Sequence, residues 1–126
     1  MDEPNAAAAT VPPVLDREQI DGLIAAAGVD GTKSILDAFW RSTDTLFRAM
    51  QDQLARGDVA EAARTAHALK GSSLNVGATQ LSCSARKIEE ACRRMDAPCA
   101  LDRLNGARAE YGDTVAAFAA HLANAA

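Results

Sequence analysis

The sequence predicts an all-α protein, an antiparallel up-down-up-down four-helix bundle with a short extra N-terminal helix packed at one end. Three observations carry this. Alanine is abundant, aromatics make up only 4% of the chain and β-branched residues are thinly scattered, a composition that favours helix. Apolar residues recur every three or four positions over long stretches, with no strand-like alternation and no internal repeat. Gly, Asp and Pro fall where helices would begin and end. The 126 residues are enough for one domain with a core that needs no disulfide or metal.

Residues 1 to about 13 read as a disordered tail of small residues closed by Pro12-Pro13, and residues 14–126 as the helical domain. The first helix is short, about 16 to 27, with Asp16 as N-cap, Gly28 as stop, and Ile20, Leu23, Ile24 and Ala27 at helical spacing. The second runs from about 31 to 56. Its stripe is Ile35, Leu36, Phe39, Trp40, Leu46, Phe47, Met50 and Leu54, and Gly57 ends it. The third starts at the N-cap Asp58 and reaches about Val76, with Gly77 as stop. The fourth spans about 78 to 95, striped by Leu81, Ala85, Ile88, Cys92 and Met95. Asp96-Ala97-Pro98 is a turn and restart, because proline in a first turn loses no needed N–H. The fifth continues to about 123 on Leu101, Leu104, Ala107, Tyr111, Val115, Phe118 and Leu122. Short turns between long amphipathic helices make neighbours antiparallel.

Bulk properties remove several function classes. With 13 basic and 17 acidic residues the net charge is −4, and no dense basic patch marks a nucleic-acid binder. The cysteines Cys83, Cys92 and Cys99 are odd in number and form no C-x-x-C, so they read as buried free thiols of a reducing cytosol rather than a zinc site or a disulfide framework. Met1-Asp2-Glu3-Pro4 has no basic n-region and does not open a signal peptide. No apolar run approaches the roughly 20 residues of a membrane span. A di-iron bundle would need Glu-x-x-His pairs, and none is present. Nor is there a nucleotide-binding glycine motif. The run from Met1 to Asn124-Ala125-Ala126 reads as a whole small protein.

The third helix has two faces. Val59, Ala62, Ala66, Leu69, Ser73 and Val76 cluster on one side at about 100° per residue, as a core stripe of small residues. His67, Lys70, Gly71 and Leu74 form a second stripe at i, i+3, i+4 and i+7, extended by Arg64. A merely solvated face would carry Glu, Lys and Gln. Lys70-Gly71 has two readings. It is either a helix end, lysine before a C-terminal glycine, or an interior glycine that costs about 1 kcal/mol relative to alanine and leaves room for something to approach beside His67. A lone helical histidine is usually a surface or boundary residue, and His121 is read so. Ser73 phases inward, its hydroxyl placed to bond the i−4 carbonyl.

A reversal at Gly77 sets position 67 opposite positions 87 to 89. Ile88 then points inward, and Glu89 lies where its carboxylate can accept from the imidazole Nδ1–H and fix the tautomer. Lys87 and Arg93 would line the rim. The alternative for all three charged residues is an ordinary exposed face.

Read as a unit, His67-x-x-Lys70-Gly71-Ser72-Ser73-x-x-x-Gly77-Ala78 resembles the signature of histidine-containing phosphotransfer (Hpt) domains. Leu81 and Ile88-Glu89 fall in register with that family's next helix, and the similarity covers the helices from about 31 to 123. The resemblance implies a phosphoryl carrier with His67 as phosphoacceptor through Nε2. Lys70 would offset the incoming phosphoryl charge, Gly71 would leave room for the partner, and Leu74 would add docking contact. Arg64, Glu89 and Arg93 complete the expected partner-binding set. The implied partners are receiver domains of response regulators and hybrid histidine kinases in a multistep two-component phosphorelay. The carrier is expected to be a monomer in a bacterial cytoplasm, without autokinase activity and without a cofactor or metal of its own, Mg2+ belonging only to the receiver. Neither nucleic acid nor a membrane is expected as partner. The alternatives are a phosphoacceptor module of a larger sensor or chemotaxis kinase, and a helical interaction module with no phosphoryl chemistry.

Overall fold

The computed structural model describes residues 13–125, so all of the predicted tail but Pro13 lies outside the described residues. Four helices follow in order: α1 (Arg17–Ala55), α2 (Val59–Val76), α3 (Thr79–Arg93) and α4 (Ala97–Ala125). No strand occurs among the described residues. Each helix packs on its neighbour in sequence, and α1 closes the ring against α4. The turns are three residues or fewer, which makes the bundle antiparallel.

The two helices expected before residue 57 are one element with a break. Gly28 sits at φ 77, ψ 171, a region open essentially to glycine alone, and the residues on both sides are helical. The stop at Gly28 is therefore real, but no loop separates it from a restart at 31. The arm before the break, Arg17 to Ala27, turns across one end of the bundle and buries Ile20 completely. Three contacts hold it there. Asp16 N–H donates to Gly77 O at 2.7 Å, Gln19 Nε2 donates to Asn75 O at 3.0 Å, and His121 Nε2 lies 2.7 Å from Asp21 Oδ1. His121 is thus the boundary residue expected.

The caps follow the sequence. Asp16 accepts from Gln19 N–H at 3.2 Å, Asp58 from Glu61 N–H at 3.1 Å, and Asp96 from Cys99 N–H at 3.1 Å. Each satisfies one orphan donor of a first turn. Gly77 ends α2 at φ 81, a left-handed conformation. A Cβ there would also come within 3.1 Å of Asp16 O and of Gln19 Cβ in the docked arm.

The core takes Leu36, Phe39, Phe47, Met50 and Leu54 from α1, the predicted stripe of α2, Leu81, Ala85, Ile88 and Cys92 from α3, and Leu104, Ala107, Phe118 and Leu122 from α4. Four expected stripe members face outward: Ala27 in the arm before the break, Ile35 at 40% exposure, Leu101 at 37% and Met95 at 74%. Ile35 lies one 100° step from Leu36, which takes the inward position. Buried threonines fill the register instead. Thr32 precedes Leu36 by one turn, Thr43 lies between Phe39 and Phe47, and Thr114 lies one turn before Phe118. The hydroxyls of Thr32, Thr43 and Ser73 have no hydrogen-bond partner among the described residues. The expected bond from Ser73 to its i−4 carbonyl is therefore not made; Ser72 Oγ donates to Leu69 O at 3.2 Å instead. Aromatic rings join α1 to α4: Trp40 meets Phe118 edge-on at 5.3 Å and Phe47 meets Tyr111 at 5.4 Å. Tyr111 donates its hydroxyl to Trp40 O at 3.1 Å.

Candidate functional site

The site is built on the seam between α2 and α3. The inward stripe of α2, rich in alanine, is wholly buried, and that burial fixes where its other face points. Helix α2 continues unbroken through Gly71 to Val76, so Lys70-Gly71 is not a helix end. A Cβ on Gly71 would meet nothing within 4 Å. The glycine thus answers no packing need among the described residues. His67 is 62% exposed on this face, Leu74 is 56% exposed, and Arg64 projects into solvent.

Ser82 Oγ donates across the seam to Lys70 O at 3.3 Å, which helps set the register of the two helices. That register brings Glu89 beside His67, as counting from Gly77 predicts. The Glu89 side chain is only 7% exposed. Its carboxylate lies 3.1 Å (Oε2) and 3.4 Å (Oε1) from His67 Nδ1, and 3.2 Å from Lys70 Nζ. It also accepts from Arg93 Nε at 3.1 Å and Nη2 at 2.5 Å. One buried anion therefore holds three cationic or titratable groups, each reaching it from a more exposed position. Burial alone would push the Glu89 carboxyl up, but hydrogen bonds from Arg93 and Lys70, the Lys70 charge and His67 hold it below its ordinary 4.5. It is ionised at neutral pH. An ionised carboxylate only accepts, so Nδ1 carries the imidazole proton and Nε2 presents its lone pair outward. Nε2 has no partner among the described residues.

The remaining sequence candidates separate. Arg93 joins the Glu89 cluster. Arg64 bonds Glu61 instead, with Nη2 to Oε1 at 2.9 Å, and stays on the rim. Lys87 does not line the site. It borders a shallow groove on the α4 side with Ser84, Asp102, Arg103 and Glu110, because it lies two residues, about 200° of helix, from Glu89. Cys92, one turn beyond Glu89, is buried, and burial together with the Glu89 charge pushes its thiol up. The sequence reading missed a groove of about 340 Å³ next to Arg93, lined by Ala60, Ala63, Arg64, Cys92, Arg93 and Met95. Its alanines read as helix formers, and Met95 read as core. Among the described residues, no three His, Cys, Asp or Glu side chains converge as a metal site.

An outward imidazole nitrogen with a fixed tautomer is a nucleophile that needs no base to remove a proton. Attack through Nε2 would put positive charge on a ring whose other nitrogen already faces a carboxylate. Lys70 and Arg93, both paired with Glu89, lie beside it and would place positive charge near an incoming anionic group.

The Hpt domain family model matches residues 34–125. Among solved structures, histidine-containing phosphotransfer protein B from Pseudomonas aeruginosa PAO1 is 26% identical with a TM-score of 0.81, over 89% of this chain and 96% of that one. A histidine-containing phosphotransfer protein from maize is 20% identical with a TM-score of 0.74, over 90% and 88%. One from Medicago truncatula is 18% identical with a TM-score of 0.76, over 98% and 87%. The maize and Medicago likenesses concern the fold. No curated protein sequence matches the chain.

Proposed function

The chain belongs to the Hpt domain family, and from that premise we propose that His67 is the phosphoacceptor through which it relays phosphoryl groups between receiver-domain aspartates. Membership gives the coarse role, histidine phosphotransfer in phosphorelay signalling. The finer reading is that of a carrier between a hybrid histidine kinase and a response regulator. The observation that supports it is the contact between His67 Nδ1 and the buried Glu89 carboxylate, which leaves Nε2 free on an exposed helix face.

In the transfer, the Nε2 lone pair attacks phosphorus, the N–P bond forms and the P–O bond to the receiver aspartate breaks. The electron pair leaves with the aspartate as carboxylate. No proton need move, because Nδ1–H stays on the ring and faces Glu89 as the ring becomes cationic. Lys70 and Arg93 offset charge on the phosphoryl oxygens. Gly71 leaves the helix surface open to the docking receiver, while Leu74 and Arg64 extend the contact.

In this reading the protein takes its phosphoryl group from a partner rather than from ATP, acts as a monomer, and leaves the magnesium requirement to the receiver. The proposed location is a bacterial cytoplasm; the three free cysteines suit a reducing compartment. No helix among the described residues is long and apolar enough to cross a membrane.

The test is incubation with a phosphorylated receiver domain. Label should move onto the protein in an acid-labile, base-stable bond, and His67→Gln should abolish it. Label retained in that variant, or a base-labile product, would overturn the assignment. ATP alone should give no label.

A further inference from the structure

The turn between α3 and α4 holds a feature that the phosphotransfer chemistry does not use. Met95 sits at φ 60 and is the only non-glycine residue with positive φ among those described. The turn requires that conformation. Met95 N–H donates to Cys92 O at 2.9 Å and Asp96 N–H to Ala91 O at 3.0 Å, closing the end of α3. Glycine is the usual residue at such a position because a Cβ there is strained. The methionine gains little burial in return among the described residues, for it stands 74% exposed. Strain and an exposed apolar group at one position point to a use outside the chain.

Met95 borders the groove of about 340 Å³ whose other walls are Ala60, Ala63, Cys92, Arg64 and Arg93. Arg93 is shared with the Glu89 cluster, so the groove is continuous with the His67 face. Leu74 lies beyond His67 in the other direction. From Ala60 to Leu74 the helix rises about 21 Å, a span suited to a standard interface of about 800 Å² per partner. Cations thus occupy the middle and rim of this strip, and apolar surface occupies its two ends. The strip complements a face with an acidic centre and apolar surroundings.

We propose that Met95 and the Ala60–Ala63 groove are an apolar anchor for the docking receiver domain, which seats an apolar side chain there while its acidic centre meets Lys70 and Arg93. This rests on the phosphotransfer reading above and adds the part of the surface that selects the partner. Methionine suits the task, since its flexible, polarisable side chain adapts to the shape it meets.

The experiment is single-turnover transfer from a phosphorylated receiver over a range of receiver concentrations, with the full chain. Met95→Gly removes both strain and side chain, so its unfolding midpoint should stay the same or rise. The half-saturating receiver concentration should increase about tenfold, with the maximal rate unchanged. Ala60→Glu, at an exposed position, should act in the same direction by lining the groove with negative charge. Half-saturation within twofold of wild type for both variants would overturn the proposal. So would a lowered maximal rate at unchanged half-saturation, which would place Met95 in the chemistry. Self-association of the wild type that Met95→Gly abolishes would make a second copy the occupant, and would also overturn it. A wild type that takes no label defeats the phosphotransfer reading, and this one with it; normal wild-type transfer with unaltered variants defeats this one alone.

Discussion

Gly71→Ala should make the protein more stable and a poorer phosphoryl acceptor. Gly71 lies inside α2 with helical neighbours on both sides, where alanine is favoured by about 1 kcal/mol. The added Cβ would meet nothing within 4 Å, so no clash subtracts from that gain. With an unfolding entropy of about 2.1 cal/mol/K per residue, a chain of 126 residues should gain roughly 4 °C in Tm. The same methyl group stands one turn from His67, on the surface proposed to dock the receiver. Holding the partner off by about 1 Å is enough to slow transfer on the order of 100-fold. Calorimetry and single-turnover transfer from a phosphorylated receiver read the two effects separately. A lowered Tm would show that the glycine serves the fold, and an unchanged rate would show that nothing docks over it. Either result refutes the reasoning.

Glu89→Gln should slow transfer by about tenfold or more, because the amide accepts a hydrogen bond but does not balance the charge that develops on the ring. The Glu89 carboxyl is held below 4.5 in the folded protein, so its contribution to stability is complete above the ordinary carboxylate range and is lost as pH falls through the lowered value. Urea midpoints of wild type and Glu89→Gln should therefore converge on acidification from about pH 6 to pH 3; a constant gap would contradict the assignment. Tyr111 is the chain's single tyrosine, and burial, with a smaller effect of Asp44, pushes its hydroxyl up to about 12. Its ultraviolet titration should show one transition well above the usual 10, and stability should decline as pH rises from about 10 through that transition. Phe118→Ala should cost about 3–5 kcal/mol in denaturant unfolding, since it empties a buried site packed edge-on to Trp40. Below its lowered Tm the variant should still accept phosphoryl, because α4 supplies none of the site's residues.

Much of the site was legible because it obeys helical arithmetic. The 100° step separates His67, Lys70, Gly71 and Leu74 from the buried stripe, and the turn at Gly77 places Glu89 opposite His67. Arithmetic gives position but not environment. It could not show that Glu89 is buried and gathers Lys70 and Arg93 onto one carboxylate, or that Arg64 pairs with Glu61. Side-chain reach and competing partners decide those contacts. The core was legible where residues are plainly apolar and blurred where they are amphipathic. Thr32, Thr43 and Thr114 take inward positions that a search for apolar letters passes over. Ile35, Leu101 and Met95 were placed inside by letter and stand outside by angle or turn. Met95 was the hardest, because its exposure follows from a backbone conformation that nothing in its residue type announces.

The break at Gly28 also decides whether the molecule is complete in itself. Without it, the 39 residues of α1 would form a rod about 58 Å long, and its first turns would project past the end of the bundle. Ile20 would lose its cover, and Asp16 and Asp21 would lose Gly77 and His121. Those contacts would then be available only on another molecule, whose own bundle end would lie equally bare. Exchange of arms between copies is the outcome such a geometry favours. One dihedral angle, affordable only to glycine, separates a self-capped protein from an interlocked pair.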